Sequence, residues 1–154
     1  MTVASLIVPE AVVAGIKGNG KKQVLQELAA EAARVSGLSE RAVFETLLQR
    51  ERLGTTAIGQ GIAIPHGRIA GLDKLVGLFA RLARPIDFEA LDGEPVDLVF
   101  VLLAPEDAGA DHLQALAKIA RLFRTPNMAQ KLRQTEDPAA LYAILTTSGA
   151  SRAA

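Results

Sequence analysis

Residues 96–103 read VDLVFVLL, apolar at every position except Asp97. A half-buried strand alternates apolar and polar residues, and an amphipathic helix repeats them every three to four. This run does neither. Bounded by Pro95 on one side and Ala104-Pro105 on the other, it suits a central strand covered on both faces.

Upstream of it, residues 75–82, LVGLFARL, read as another strand. The joining segment PIDFEALDGEPV holds a short extended piece and an Asp92-Gly93 turn. Downstream, HLQALAKIARLF (112–123) has helical spacing, with Asp111 placed to cap it and Leu113, Leu116, Ala117, Ala120 and Phe123 as its inner face. Pro126-Asn127 interrupts, and a shorter helix follows over 128–134. Asp137-Pro138 then starts a last helix through AALYAIL, with proline at its first position.

At the other end, a short apolar run at Leu6, Ile7 and Val8 leads to a Gly-Asn-Gly turn at 18–20. KKQVLQELAAEAARVSG (21–37) repeats Val24, Leu25, Leu28, Ala32 and Val35 at helical spacing and stops at Gly37. Ser39 opens a second helix whose inner face is Val43, Phe44, Leu47 and Leu48, ended by Gly54. Helices on either side of a fully apolar strand predict an α/β domain: a single mixed β-sheet flanked by helices on both faces. No internal repeat or long linker divides it, so residues 1–146 form one domain and 147–154 a frayed tail.

Composition narrows the function. Lys plus Arg and Asp plus Glu number 17 each, for a formal net charge of zero. That balance argues against a protein that reads the backbone of duplex nucleic acid. There is no cysteine, so disulfides, thiolate nucleophiles and Cys-type zinc sites are excluded. The N-terminus lacks the pattern of a signal peptide, and no apolar run is long enough for membrane insertion. A soluble, cytoplasmic protein is expected. Only two histidines are present, His66 and His112, too few for a metal site, and no cofactor is expected.

Between the second helix and the strand at 75, TTAIGQGIAIPHGR changes character. Period two predicts one strand with Ile58, Gln60, Ile62 and Ile64 on one face. Ala57, Gly59, Gly61 and Ala63 leave the other face nearly bare, open to close backbone approach or to a partner protein. Pro65 is expected to end the ladder. A neutral imidazole at His66 is a nucleophile near pH 7, and its second nitrogen is free to be oriented by a hydrogen bond. Pro65 fixes a dihedral on one side of it, and Gly67 lets the chain turn closely on the other. The frame suits a ring that is presented rather than buried.

RERLGTTAIGQGIAIPHGR, residues 50–68, resembles the active-site block of phosphotransferase-system IIA proteins of the mannitol/fructose type, above all their nitrogen-regulatory branch. The likeness continues through PIDFEALDGEPVDLVFVLLAPE and HLQALAKIARLF to LYAIL, covering roughly residues 6–146. The resemblance implies the mannitol-type IIA fold. It implies that His66 accepts a phosphoryl group from an HPr-like phosphocarrier protein, through Nε2. It places Arg50 near that ring and makes His112 a second active-site histidine. Thr55 and Thr56 stand where the family has Ser-Thr, and Arg68 where the regulatory branch has a basic residue.

These roles are physically reasonable. A phosphoryl group carries about two negative charges near neutral pH, and its transfer depends mostly on alignment and charge stabilisation. Arg50 offers a fork of donors, His112 lies at a helix N-terminus, and Thr56, Gly67 and Arg68 are expected to stabilise the phosphoryl group. Taken singly, Arg50 in QRER also reads as a solvated helix end, and His112 as an ordinary first-turn residue. The branch implies control of regulatory targets, potassium-transport or sensor proteins among them. A sugar-transport IIA subunit that passes phosphate to a mannitol or fructose IIB is the alternative. A non-catalytic interaction module of the same fold is a second alternative.

Overall fold

The computed structural model describes residues 1–153, with side chains through Thr147. The sequence-based expectation for a tail over 147–154 therefore falls, for the side chains beyond Thr147, outside the described residues. The strands are β1 (Val12–Ile16), β2 (Ala57–Gly59), β3 (Ile62–Ala63), β4 (His66–Ile69), β5 (Val76–Ile86) and β6 (Val96–Pro105). The helices are α1 (Lys21–Ser36), α2 (Glu40–Arg52), α3 (Ala110–Arg124), α4 (Met128–Arg133) and α5 (Pro138–Ala153).

One mixed sheet runs in the order β1-β5-β6-β3-β2, with β4 also paired to β6. β5 and β6 are antiparallel over a long register that sets Phe79 opposite Phe100. β3 and β4 both run parallel to β6, one after the other along the same side of it. Every β6 residue but Asp97 is buried, as a strand covered on both faces requires. α1 and α2 pack on each other, α1 against β5 and α2 against β4. α3 packs against β6 and α5 against β1, with α4 between those two helices. Phe123 from α3 meets Phe79 at 6.3 Å and Phe100 at 6.4 Å between ring centroids, closing the core on that side.

The helix boundaries follow local chemistry. Ser39 accepts the Ala42 N–H and caps α2. Gly37 ends α1 at φ +79°, in the left-handed region where a Cβ would be strained. Pro138 begins α5, and Leu141 and Leu145 turn its apolar side inward.

Four sequence-based expectations change. The strand expected over 57–64 is a hairpin, with β2 and β3 antiparallel. Gln60 at φ +58° and Gly61 at φ +80° turn the chain between them, so Ile58 is exposed while Ile62 and Ile64 are buried. Pro65 does not end the pairing. Its carbonyl accepts the Leu102 N–H at 3.0 Å, and the ladder resumes with His66 opposite Leu102. Asp111 lies inside α3 rather than capping it; Gly109 is the N-cap. The inner face of α3 is rotated, with His112, Ala115, Ile119, Leu122 and Phe123 buried and Leu113 65 % exposed. A polar His112 on that face is what shifted the apolar pattern.

Candidate functional site

Three elements bring the site together. β4 carries His66 as its first residue, fixed in backbone register against the central strand. α2 delivers Arg50 from its last turn, and α3 delivers His112 from its first. α2 lies close enough to β4 that a Cβ on Gly67 would stand 2.5 Å from Thr46 Cγ2. Gly67 thus sets the depth of the helix that carries Arg50.

The His66 ring is held at both nitrogens. Nδ1 lies 2.7 Å from the Ile64 carbonyl oxygen. A carbonyl has no proton to give, so Nδ1 carries the ring proton and donates it. Nε2 is left with its lone pair and accepts from Arg50 Nε at 3.3 Å. Arg50 Nη1 donates to the Gly54 carbonyl at 2.8 Å, so the guanidinium is tied to the chain just beyond its own helix.

The His112 ring stands edge-on to His66, with centroids 5.5 Å apart and planes at 71°. Only 6 % of His112 is exposed, and its Nε2 is buried with no hydrogen-bond partner among the described residues. Such an atom carries a desolvation cost that a partner would remove. Arg68, opposite Ala104 in the β4–β6 register, is exposed beside these rings. Arg50, His66, Gly67, Arg68, His112 and Leu116 line a surface depression of about 620 Å³.

Both rings are held below the usual histidine value of 6.5. For His66 the chief cause is burial. The hydrogen bond to Ile64 opposes it, the Arg50 guanidinium adds to it, and Glu51 opposes. For His112 burial again leads, followed by the charges of His66 and Arg68. At neutral pH the site presents an uncharged imidazole nitrogen beside a cationic fork and the first turn of a helix. That combination suits a nucleophile attacking an anionic electrophile.

Thr55 and Thr56 are engaged elsewhere. The Thr55 hydroxyl donates to the Phe88 carbonyl at 2.6 Å. Thr56, 5 % exposed, donates its hydroxyl to Glu51 Oε1 at 2.6 Å, and its N–H donates to Oε2 at 3.1 Å. The structure brings together His66, Arg50, His112, Gly67 and Arg68, and leaves Thr56 bound to Glu51. Sequence reading passed over Glu51. It stands in the charged run QRER, yet is 5 % exposed and also pairs with Lys21 Nζ at 2.9 Å. Nothing in that run marks one charge as buried; the hydroxyl pair a few residues on was the available signal.

The family model for EIIA 2 of the phosphoenolpyruvate-dependent sugar phosphotransferase system matches residues 5–148. The chain is 61 % identical to a nitrogen regulatory protein of Bradyrhizobium diazoefficiens, over 99 % of this chain and all of that one. It is 40 % identical to a nitrogen regulatory protein of Pseudomonas aeruginosa, over 91 % and 92 % of the two chains. The crystal structure of nitrogen regulatory protein IIA-Ntr from Neisseria meningitidis superposes with a TM-score of 0.87 at 39 % identity, over 94 % of this chain and 99 % of that one. IIA mannitol from Escherichia coli shares the fold, with a TM-score of 0.77 at 19 % identity over 90 % and 98 %. The chain therefore belongs to the EIIA 2 family of the phosphoenolpyruvate-dependent sugar phosphotransferase system, on the branch of the nitrogen regulatory proteins.

Proposed function

We propose that the chain is a phosphocarrier and regulator that accepts a phosphoryl group on Nε2 of His66 from an HPr-like carrier. Its phosphorylation state then selects which regulatory proteins it binds, sensor or potassium-transport proteins among them. The observation that carries this reading is the state of the His66 ring. Nδ1–H is spent on the Ile64 carbonyl, and the Nε2 lone pair faces Arg50 in an open depression.

In the transfer, the N–P bond to the carrier's histidine breaks and its electron pair returns to that ring. The new bond forms from the Nε2 lone pair of His66. Positive charge builds on the His66 imidazole as it forms, and the Nδ1–H bond to the Ile64 carbonyl stabilises that charge. Arg50 turns its donors from Nε2 to the phosphoryl oxygens, where charge-assisted bonds are stronger. His112 Nε2, protonated in the appropriate tautomer, supplies a further donor. The exposed Arg68 adds a positive charge at the rim.

The test is a reconstituted relay of phosphoenolpyruvate, enzyme I and an HPr-like carrier, read by intact mass. One acid-labile phosphoryl group is expected on the wild type and none on His66→Ala. A wild type that stays unmodified beside a competent relay overturns the proposal and favours a non-catalytic interaction module. Rapid discharge to a mannitol or fructose IIB would assign the chain to sugar transport instead. Retention of regulatory partners by only one of the two phosphorylation states supports the regulatory reading.

A further inference from the structure

Next to Arg50 in the chain lies a polar cluster whose residues Glu51, Thr56 and Lys21 do not line the depression. Its centre is the Glu51 carboxylate, whose side chain is 3 % exposed. It accepts three hydrogen bonds, from Thr56 N, Thr56 Oγ1 and Lys21 Nζ. Lys21 also reaches Glu89 at 2.9 Å and sits 5.1 Å from the centroid of the Phe88 ring. A carboxylate removed from water to this degree is costly unless every acceptor site is used. Three partners on one carboxylate fix both its position and that of the chain around it.

From this cluster one line of hydrogen bonds and one stretch of backbone reach the site. In the first, Glu51 holds the backbone of Thr56, and the Thr56 carbonyl accepts the Ile64 N–H at 3.0 Å. The Ile64 carbonyl then receives the His66 Nδ1 proton at 2.7 Å. In the second, the same anchor fixes the chain between the end of α2 and Thr56. That segment includes Gly54, whose carbonyl holds Arg50 Nη1. The residue that directs the imidazole and the one that directs the guanidinium are thus referred to a single carboxylate.

We propose that Glu51, acting through Thr56, is a positioning residue that fixes the His66 tautomer and the Arg50 guanidinium for phosphoryl acceptance. The role in transfer rests on the phosphocarrier reading above; the role in orienting the ring does not. Thr56 belongs to the site through its backbone and its hydroxyl bond to Glu51, without touching the phosphoryl group. Lys21 balances the buried charge from α1.

The experiment uses the full chain labelled with ¹⁵N-histidine. Long-range proton–nitrogen spectra of the imidazoles report the tautomer, and the relay assay reports the transfer rate. In the wild type, His66 is expected wholly as the Nδ1–H tautomer. Glu51→Gln keeps the shape but loses an acceptor and the charge. It is expected to mix the tautomers and slow phosphoryl acceptance by about 10- to 100-fold, the size of effect that small misplacement of a reacting group produces. Thr56→Val is expected to do the same in milder form, and Thr56→Ser to restore both readouts. It serves as the test if Glu51→Gln does not fold. A role in stability alone would lower the unfolding midpoint and leave tautomer and rate unchanged. Folded variants with a wild-type tautomer and rate overturn the proposal. If the wild type accepts no phosphoryl group, the phosphocarrier reading fails, and the tautomer spectra still decide what Glu51 does.

Discussion

Gly67→Ala tests how closely helix α2 is fitted to the strand that carries His66. The added methyl would stand 2.5 Å from Thr46 Cγ2, with the Thr46 carbonyl oxygen at 3.7 Å and Cβ at 3.9 Å. Carbon atoms at rest lie about 3.5–4.0 Å apart, so one contact is short by more than ~1 Å and the others are ordinary. Thr46 is β-branched and stiff in a helix, which leaves withdrawal of α2 as the main relief. Overpacking of this kind costs about 1–3 kcal/mol, within the margin of a domain whose stability is typically ~5–15 kcal/mol. The variant should fold, with a lower midpoint in urea. A retreat of α2 by ~1 Å would stretch the 3.3 Å contact of Arg50 Nε with His66 Nε2 beyond bonding range and slow phosphoryl acceptance by up to about 100-fold. Thr46→Ala removes Cγ2 and leaves Cβ at an ordinary distance. Gly67→Ala with Thr46→Ala should therefore recover most of the lost stability and rate, a coupling that a double-mutant cycle reads directly. A single variant with wild-type midpoint and rate, or a double variant no better than the single, would refute this account of the close approach.

Four further outcomes are expected. Because burial and Arg50 hold His66 below 6.5, phosphoryl acceptance should be flat through neutral pH and fall only below 6.5; an inflection above 6.5, followed by ring NMR, contradicts the neutral-ring assignment. His66 and His112 are both depressed in the folded chain. The unfolded chain therefore binds more protons as pH falls below 6.5, and their contribution to stability, full above 6.5, is lost down through the folded values; urea midpoints across that range measure it. His112→Phe should unfold at or above the wild-type midpoint, since the buried Nε2 makes no hydrogen bond to lose, yet accept phosphate more slowly. Arg133→Ala should destabilise by about 1–2 kcal/mol, because Arg133 joins Asp97 and the Gln60 carbonyl from a position 35 % exposed and so partly screened.

What the sequence disclosed depended on whether an element's pattern was its own. β6 is apolar throughout because both its faces are covered, so it could be read in isolation. α1 and α2 show helical spacing with stops at Gly37 and near Gly54. The β2–β3 hairpin could not be read this way, because its alternation continues through a turn built on Gln60, a residue that rarely takes positive φ. β4 escaped notice for a different reason. Pro65 usually marks the end of a strand, but here its carbonyl, which proline keeps, carries the pairing past it. β1 passed unread because its five residues include Gly15 and carry no alternation. At the site, His66 could be singled out from its local frame. The partnership of Arg50 and His112 with it came from the family likeness, since spacing along the chain says nothing of a contact made across three elements. Glu51 was hidden because burial, not sequence, separates it from its charged neighbours.

The anchoring of His66 within β4 has a consequence for the proposed carrier role. Its backbone is bonded in register to the most deeply covered strand, so a phosphoryl group accepted there, as proposed, would sit on a scaffold held on both faces. Its presence would then be felt outward chiefly as surface potential. On the proposed function, a molecule with equal numbers of acidic and basic residues would gain an anionic phosphoryl group at a single point, and a partner would read that difference without any hinge having turned.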